Sequence, residues 1–132
     1  MARSARARGR CSSEYGALDR TWTFVSEHRQ STAVVQKLPV PIDDPEEVVE
    51  AVWAGVTPKT RVLFLSHITS PTAVTLPIEP LIARARNAGI WTVVDGAHAP
   101  GQVELDLSAL DVDFYGGNCH INTRGAQDGR GS

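Results

Sequence analysis

The chain has 132 residues, a hydrophobic share of 42% and a formal net charge of −2 at pH 7. One globular domain is the expectation for this length and composition, and the near-neutral charge gives no global indication of nucleic-acid binding. No stretch is long and apolar enough to suggest a membrane span. Two cysteines, Cys11 and Cys119, are too few for a disulfide framework. A reduced, cytoplasmic setting is therefore predicted.

Both ends of the chain lack the periodicity of regular structure. Four arginines and no acidic residue occur in the first ten positions, and we predict a basic, unstructured tail over residues 1–13. The Arg, Ser and Ala content there also resembles an organellar transit peptide. Residues 121–132 are rich in Gly, Arg, Asn and Gln and are predicted to form a second unstructured tail.

Between the tails, helical and strand patterns alternate. Asp44 is a good N-cap and Pro45 suits the first helical position. The apolar run 61–66 is typical of a strand buried on both faces. Helices are predicted over 15–28, from 45 to a stop at Gly55, and over 78–88, with a short turn at 107–110. Strands are predicted over 33–38, 61–66, 90–94 and 114–115. This alternation predicts an α/β fold with a partial, doubly wound parallel sheet.

Polar side chains follow three of the predicted strands. In an open parallel sheet the carboxyl ends of the strands share one edge, where ligands bind. We therefore expect these side chains to converge on one site. The three clusters are His67, Thr69 and Ser70; Asp95 and His98; and Asn118 and His120.

Four segments together resemble the class V aminotransferase family, whose members use pyridoxal 5′-phosphate (PLP) and include cysteine desulfurases and isopenicillin N epimerase-like proteins. The segments are Glu14–Ala17, Ser66–Pro71, Val94–Gly101 and Asp113–His120. The runs Asp-Gly-Ala-His and Gly-Gly-Asn-Cys-His look most like the epimerase-like branch. The resemblance covers about residues 14–120, and it implies a fragment of the large domain of a PLP-dependent transferase.

The resemblance assigns roles to residues at the strand exits. Asp95 matches the carboxylate beside the PLP ring nitrogen, where a negative charge keeps that nitrogen protonated. His98 matches a residue near the ring and its phenolic oxygen, and Thr69 matches a side chain that contacts this oxygen. The alternatives are local: an Asp before Gly is ordinary in a turn, and a histidine can cap a strand exit. His67 is expected to be structural.

Three further positions complete the implied cofactor site. Tyr15 matches an aromatic ring that stacks on the cofactor, although an aromatic residue at a helix start can equally pack on the core. Asn118 and His120 match the segment before the catalytic lysine, where a polar side chain reaches the phosphate and the histidine sets local geometry.

The residue after His120 departs from the family pattern. The family has there the lysine that forms a Schiff base with PLP, whereas this chain has Ile121. Isoleucine cannot supply the amine that the chemistry needs, and Lys37 and Lys59 lie in no motif that would replace it. The phosphate-binding turn expected upstream is also not recognisable. We therefore expect a truncated or frameshifted reading frame whose product is inactive as it stands.

The resemblance implies an amino-acid-like substrate and a homodimer for the intact parent protein. Two other functions stay open. The first is a non-catalytic module that pairs with an intact paralogue. The second is a metal-dependent, hydrolase-like site, which needs about three ligands, although the spacing fits no known metal motif. The candidate ligands are His67, Asp95, His98, Asp113 and His120.

Overall fold

The structure is a computed structural model, and it describes residues 6–11, 16–29, 31–38, 42 and 44–117. Five strands and four helices lie within those ranges. In chain order they are β1 (Arg6–Cys11), α1 (Gly16–Arg29), β2 (Ser31–Gln36), α2 (Pro45–Trp53), β3 (Thr60–Ser66), α3 (Ile78–Asn87), β4 (Trp91–Asp95), α4 (Leu107–Leu110) and β5 (Phe114–Gly116).

The strands form one open sheet in the order β2-β1-β3-β4-β5. All four pairings are parallel, which confirms the predicted α/β class. The chain runs outward from β1 to β2 and then returns past β1 to β3, so the strand order reverses between β1 and β3. The carboxyl ends of the strands beside such a reversal are where open α/β sheets bind ligands.

The N-terminal segment differs from the sequence-based expectation. Residues 1–13 were expected to be unstructured, yet Arg6–Cys11 forms β1 in the interior of the sheet, paired with β2 over its whole length and with β3 from Ala7 to Arg10. The pairing with β3 contains an irregularity between Ala7 and Arg8. Backbone groups make the ladder hydrogen bonds whatever the side chains are. A basic composition therefore hides a strand from any prediction that relies on an apolar run.

The helices cover both faces of the sheet. On one face, the indole ring of Trp22 in α1 meets Phe64 of β3 edge-on, with centroids 5.2 Å apart. On the other face, α2 and α3 bury their apolar stripes against Leu63 and Leu65 of the same strand. The buried cluster on this second face consists of Val48, Val49, Val52, Leu63, Leu65, Leu76, Ile78, Leu81, Ile82, Ala85, Ile90 and Val94. The double coverage confirms that β3 is buried on both faces.

Local signals predicted the ends of α2 more closely than the ends of β2. The Asp44 carboxylate accepts a hydrogen bond from the Glu46 amide at 2.9 Å, and Pro45 occupies the first turn of α2 as predicted. α2 ends at Trp53 with Ala54 as its C-cap, so Gly55 directly follows the cap, which agrees with the prediction that this glycine closes the helix. β2 begins at Ser31 and ends at Gln36, two residues earlier at each end than predicted.

Candidate functional site

The carboxyl ends of β3, β4 and β5 meet at one edge of the sheet. Ser66 pairs with Asp95, and Asp95 pairs with Gly116, in the parallel register. Past these pairs, the His67 amide donates to the Asp95 carbonyl at 2.8 Å, and the Gly96 amide donates to the Gly116 carbonyl at 2.7 Å. Asp95 is thus held between the two neighbouring strand ends.

The Asp95 side chain is partly buried at the start of a turn. Its Oδ1 accepts a hydrogen bond from the Ala97 amide at 3.0 Å. This is the local bond that an Asp before Gly commonly makes, so one carboxylate oxygen serves the turn. The bond also fixes the plane of the carboxylate at the sheet edge, where a ligand would meet it.

A cavity of about 340 Å³ lies between the exit loops of β3 and β4. Its volume is at the lower end of the range for small-molecule sites. The structure brings Thr69 and His98 together here, as predicted from two separate clusters. The lining residues are Ile68, Thr69, Ser70, Ala73, Thr75, His98, Gln102 and Val103. Five of them carry a hydroxyl, imidazole or amide group in the side chain, so the cavity offers polar contacts to a ligand.

The Thr69 hydroxyl already takes part in holding the loop that follows β3. It lies 2.6 Å from the Thr72 hydroxyl, accepts from the Val74 amide at 2.9 Å and lies 3.3 Å from the Val74 carbonyl. Thr69 is only 2% exposed. Ala73, in the same loop, has φ 52°, a conformation that costs energy for a residue other than glycine. The bonds of Thr69 stabilise this turn, so any contact with a ligand would come in addition to a structural role.

A partly buried hydrogen bond joins side chains of two different strand ends. The His67 Nδ1 lies 2.9 Å from the Tyr115 hydroxyl, and the two rings meet edge-on. Burial lowers the pKa of His67, and nearby Glu79 opposes this effect. Burial, with a smaller contribution from Asp95, raises the pKa of Tyr115 to about 12. Both rings are therefore neutral at pH 7, and the predicted structural role of His67 agrees with its burial.

The lowered pKa of His67 gives a pH dependence of stability. Below the ordinary value of 6.5, the unfolded chain binds a proton that the folded chain resists, so the free energy of unfolding decreases as the pH falls. Well above pH 6.5 His67 is unprotonated in both states, so the free energy of unfolding no longer depends on its protonation. Between about pH 7.5 and about pH 5.5, the urea midpoint should decline less in His67→Asn than in the unaltered chain, because the asparagine amide cannot titrate. His28→Gln, which removes an exposed histidine, should keep the full decline; an equal decline in all three proteins would contradict the assignment.

Several predicted site residues lie outside the residues that the structure describes. They are Tyr15, Asn118, His120 and Ile121. Asp113 is described, and it lies near the start of β5 rather than at the strand exits. Its Oδ2 accepts from the Thr92 amide and hydroxyl, both at 2.8 Å. Within the described ranges, no group of three or more His, Cys, Asp or Glu side chains could hold a metal ion.

Sequence reasoning missed Tyr115 and the function of Gly96. A Cβ atom on Gly96 would lie 2.1 Å from two carbons of the Tyr115 ring, so the close approach of this ring requires glycine. Tyr115 follows His67 by 48 residues, and no local pattern connects the two. The one local signal in the sequence is the glycine directly after Asp95, and turn formation is its local explanation.

No helix in the described part of the chain combines the length and hydropathy that crossing a membrane requires.

Comparison with solved structures places the fold among PLP-dependent enzymes. The cysteine desulfurase CsdA from Escherichia coli matches 88% of this chain and 28% of its own chain, with a TM-score of 0.72 and 28% sequence identity. A C-DES variant with glycine covalently linked to the PLP cofactor also matches 88% of this chain and 31% of its own. Its TM-score is 0.76 and its sequence identity is 23%, so this second likeness concerns the fold alone.

Comparison of sequences gives the same family. The chain is 45% identical over 108 residues to isopenicillin N epimerase from Amycolatopsis lactamdurans, a match that covers 81% of this chain and 27% of the relative. It is 35% identical over 98 residues to a putative L-cysteine desulfhydrase from Oryza sativa subsp. japonica, covering 68% of this chain and 20% of the relative. The chain thus spans roughly a quarter of the length of these relatives. The profile of the class-V aminotransferases matches residues 13–120, and the chain belongs to the class-V aminotransferase family.

Proposed function

We propose that this chain carries part of the PLP site of a class V enzyme that acts on an amino-acid-type substrate, and that it is inactive as it stands because Ile121 replaces the catalytic lysine. The observation that supports this proposal best is the position of Asp95. It ends β4 between the exits of β3 and β5, at the sheet edge where ligands bind in this fold class. The 45% identity to isopenicillin N epimerase favours the epimerase-like branch over desulfuration.

The described residues fit the proposed cofactor. Asp95 supplies a partly buried carboxylate whose orientation is fixed by the Ala97 amide. His98 and Thr69 line one cavity next to the exit loops, and their imidazole and hydroxyl groups can meet a polar ring substituent. Among the residues that the structure describes, no group of three or more His, Cys, Asp or Glu side chains could hold a metal ion in place of the cofactor.

Asp95, His98 and Thr69 would each have a separate role toward PLP. When bound, PLP withdraws electrons from the substrate α-carbon. Asp95 would hold the proton on the pyridine nitrogen, because an adjacent negative charge favours the charged form of that nitrogen. His98 would orient the ring at its phenolic oxygen. Thr69 would hold the loop after β3 and would meet the same oxygen by exchanging its bond to Thr72.

The proposed site also includes Tyr15, Asn118 and His120, whose roles rest on the sequence resemblance alone. Tyr15 would stack on the ring, and Asn118 and His120 would approach the phosphate. We also predict, from the sequence, a homodimer as in the family and a cytoplasmic location. Pairing with an intact paralogue is the alternative in which the chain has no chemistry of its own.

The test restores the missing amine at position 121 and then removes the carboxylate proposed to meet the ring nitrogen of PLP. Ile121→Lys is incubated with PLP and treated with borohydride, and the modified position is located by peptide mass spectrometry. We expect a pyridoxyl group at position 121. The unaltered chain should carry no more than the background found at Lys37 and Lys59. In the Ile121→Lys background, Asp95→Asn should weaken PLP binding by about tenfold or more, because it removes a charge-assisted hydrogen bond.

Asp44→Asn provides a matched control for this experiment. Asp44 makes a single capping bond at the start of α2, and asparagine caps a helix about as well as aspartate. This variant should bind PLP as tightly as Ile121→Lys alone. If Asp95→Asn also leaves PLP affinity unchanged, Asp95 is not the partner of the ring nitrogen and the proposed site is wrong.

A further inference from the structure

The bond between His67 and Tyr115 crosses a strand end. His67 directly follows β3, Tyr115 lies in β5, and β4 runs between those two strands. The side chains meet at 2.9 Å between Nδ1 and the hydroxyl. They can do so because position 96, just past the end of β4, has no side chain: a Cβ atom there would lie 2.2 Å from the Tyr115 hydroxyl oxygen. We call this bridge over Gly96 the His67–Tyr115 clasp.

The residues of the clasp also hold the backbone around Asp95. The His67 amide donates to the Asp95 carbonyl, and the next amide along, that of Gly96, donates to the Gly116 carbonyl beside Tyr115. The peptide group between Asp95 and Gly96 is thus bonded on one side to β3 and on the other to β5. The direction of the Asp95 side chain depends on this peptide and on the bond from the Ala97 amide to Oδ1.

The clasp joins two neutral groups next to a carboxylate. Burial keeps His67 unprotonated and Tyr115 protonated near pH 7, so neither ring brings a charge that would attract or repel Asp95. His67 is 5% exposed, so breaking the bond is costly because the freed imidazole nitrogen stays buried. The clasp is therefore suited to hold geometry without taking part in proton transfer.

We propose that Tyr115 is a positioning residue for Asp95: its ring, held by His67, closes over Gly96 and fixes the direction in which the Asp95 carboxylate leaves β4. That the Asp95 carboxylate then meets a ligand ring nitrogen rests on the proposed function. The geometric part does not, since it concerns groups of this chain only. Tyr115 itself is not assigned a contact with the cofactor.

The test uses the full chain and measures amide hydrogen exchange by NMR without cofactor. Tyr115→Phe keeps the ring over Gly96 and removes only the hydroxyl. We expect the Ala97 amide, which reports the bond to Asp95, to exchange about tenfold faster, the factor that corresponds to the loss of one ordinary hydrogen bond. The Asp95 carboxyl carbon should change its chemical shift. The Leu81 amide in α3 serves as the reference for global opening.

Two comparisons separate positioning from general destabilisation. Thr57→Val removes a hydroxyl that bonds near the amino end of β3, and it should leave the Asp95 carbon shift unchanged. His67→Asn places an amide oxygen close to the position of Nδ1, so it should restore most of the Ala97 protection that His67→Ala loses. This pair of His67 variants tests the clasp even if Tyr115→Phe does not fold.

The outcomes are distinct for the two proposals. Equal acceleration of Ala97 and Leu81, or an unchanged Asp95 carbon shift in Tyr115→Phe, would overturn the positioning role. If Ala97 responds as expected but Asp95→Asn does not weaken PLP binding, the clasp holds and the proposed function fails. If PLP binding depends on Asp95 while the Ala97 amide ignores Tyr115→Phe, the proposed function holds and the clasp is only a structural contact.

Discussion

Gly96→Ala should lower the free energy of unfolding by about 3 kcal/mol and disrupt the candidate site. The added methyl group would lie 2.1 to 2.2 Å from two ring carbons and the hydroxyl oxygen of Tyr115, a separation that no packed side chain tolerates. The ring must therefore move, and its movement breaks the hydrogen bond with His67. Overpacking of this kind costs about 1–3 kcal/mol, and leaving a buried polar group without its partner adds about 1 kcal/mol or more.

Gly117→Ala is the matched control, because the nearest atom to its added Cβ would be 3.8 Å away. This variant should unfold at nearly the same urea concentration as the unaltered chain. A double-mutant cycle then identifies the cause. In a Tyr115→Ala background, Gly96→Ala should cost less than about 1 kcal/mol, because the clashing ring is gone. A cost that is the same in both backgrounds would show that Tyr115 is not what excludes a side chain at Gly96.

Leu65→Ala should lower the free energy of unfolding by about 2–5 kcal/mol. Leu65 lies in β3, is 0% exposed and belongs to the buried cluster beneath α2 and α3. Truncation removes buried apolar surface and leaves a cavity that the surrounding sheet and helices cannot fill completely. Because small domains have total stabilities of about 5–15 kcal/mol, this single change can remove a large part of the stability. Urea denaturation followed by circular dichroism measures the difference.

Leu107→Ala tests whether the loss comes from burial rather than from leucine content. Leu107 begins α4 and is 48% exposed, so the same truncation removes few contacts. We expect its unfolding free energy to change by about 0.5 kcal/mol at most. A loss at Leu107 that matches the loss at Leu65 would be inconsistent with the assignment of β3 to the centre of the core.

The family and the fold class of this chain are encoded in short stretches of its sequence. The apolar run that became β3, the capping pair Asp44 and Pro45, and the Asp95–His98 run each have a local physical cause: burial on both faces, satisfaction of free amides, and turn formation after a strand. Such causes act over a few residues, and the sequence alone was enough to predict a parallel α/β sheet with polar groups at one edge.

Only the tertiary structure decided which distant groups meet. β1 lies inside the sheet although its composition predicted a tail, because its partners β2 and β3 supply hydrogen bonds from outside the segment. Asp113, a candidate ligand by residue type, is instead bonded to Thr92, away from the strand exits. The contact between His67 and Tyr115 depends on the order of three strands and on a missing side chain at Gly96. Local periodicity contains none of this, because strand order is set by packing between segments far apart in the chain.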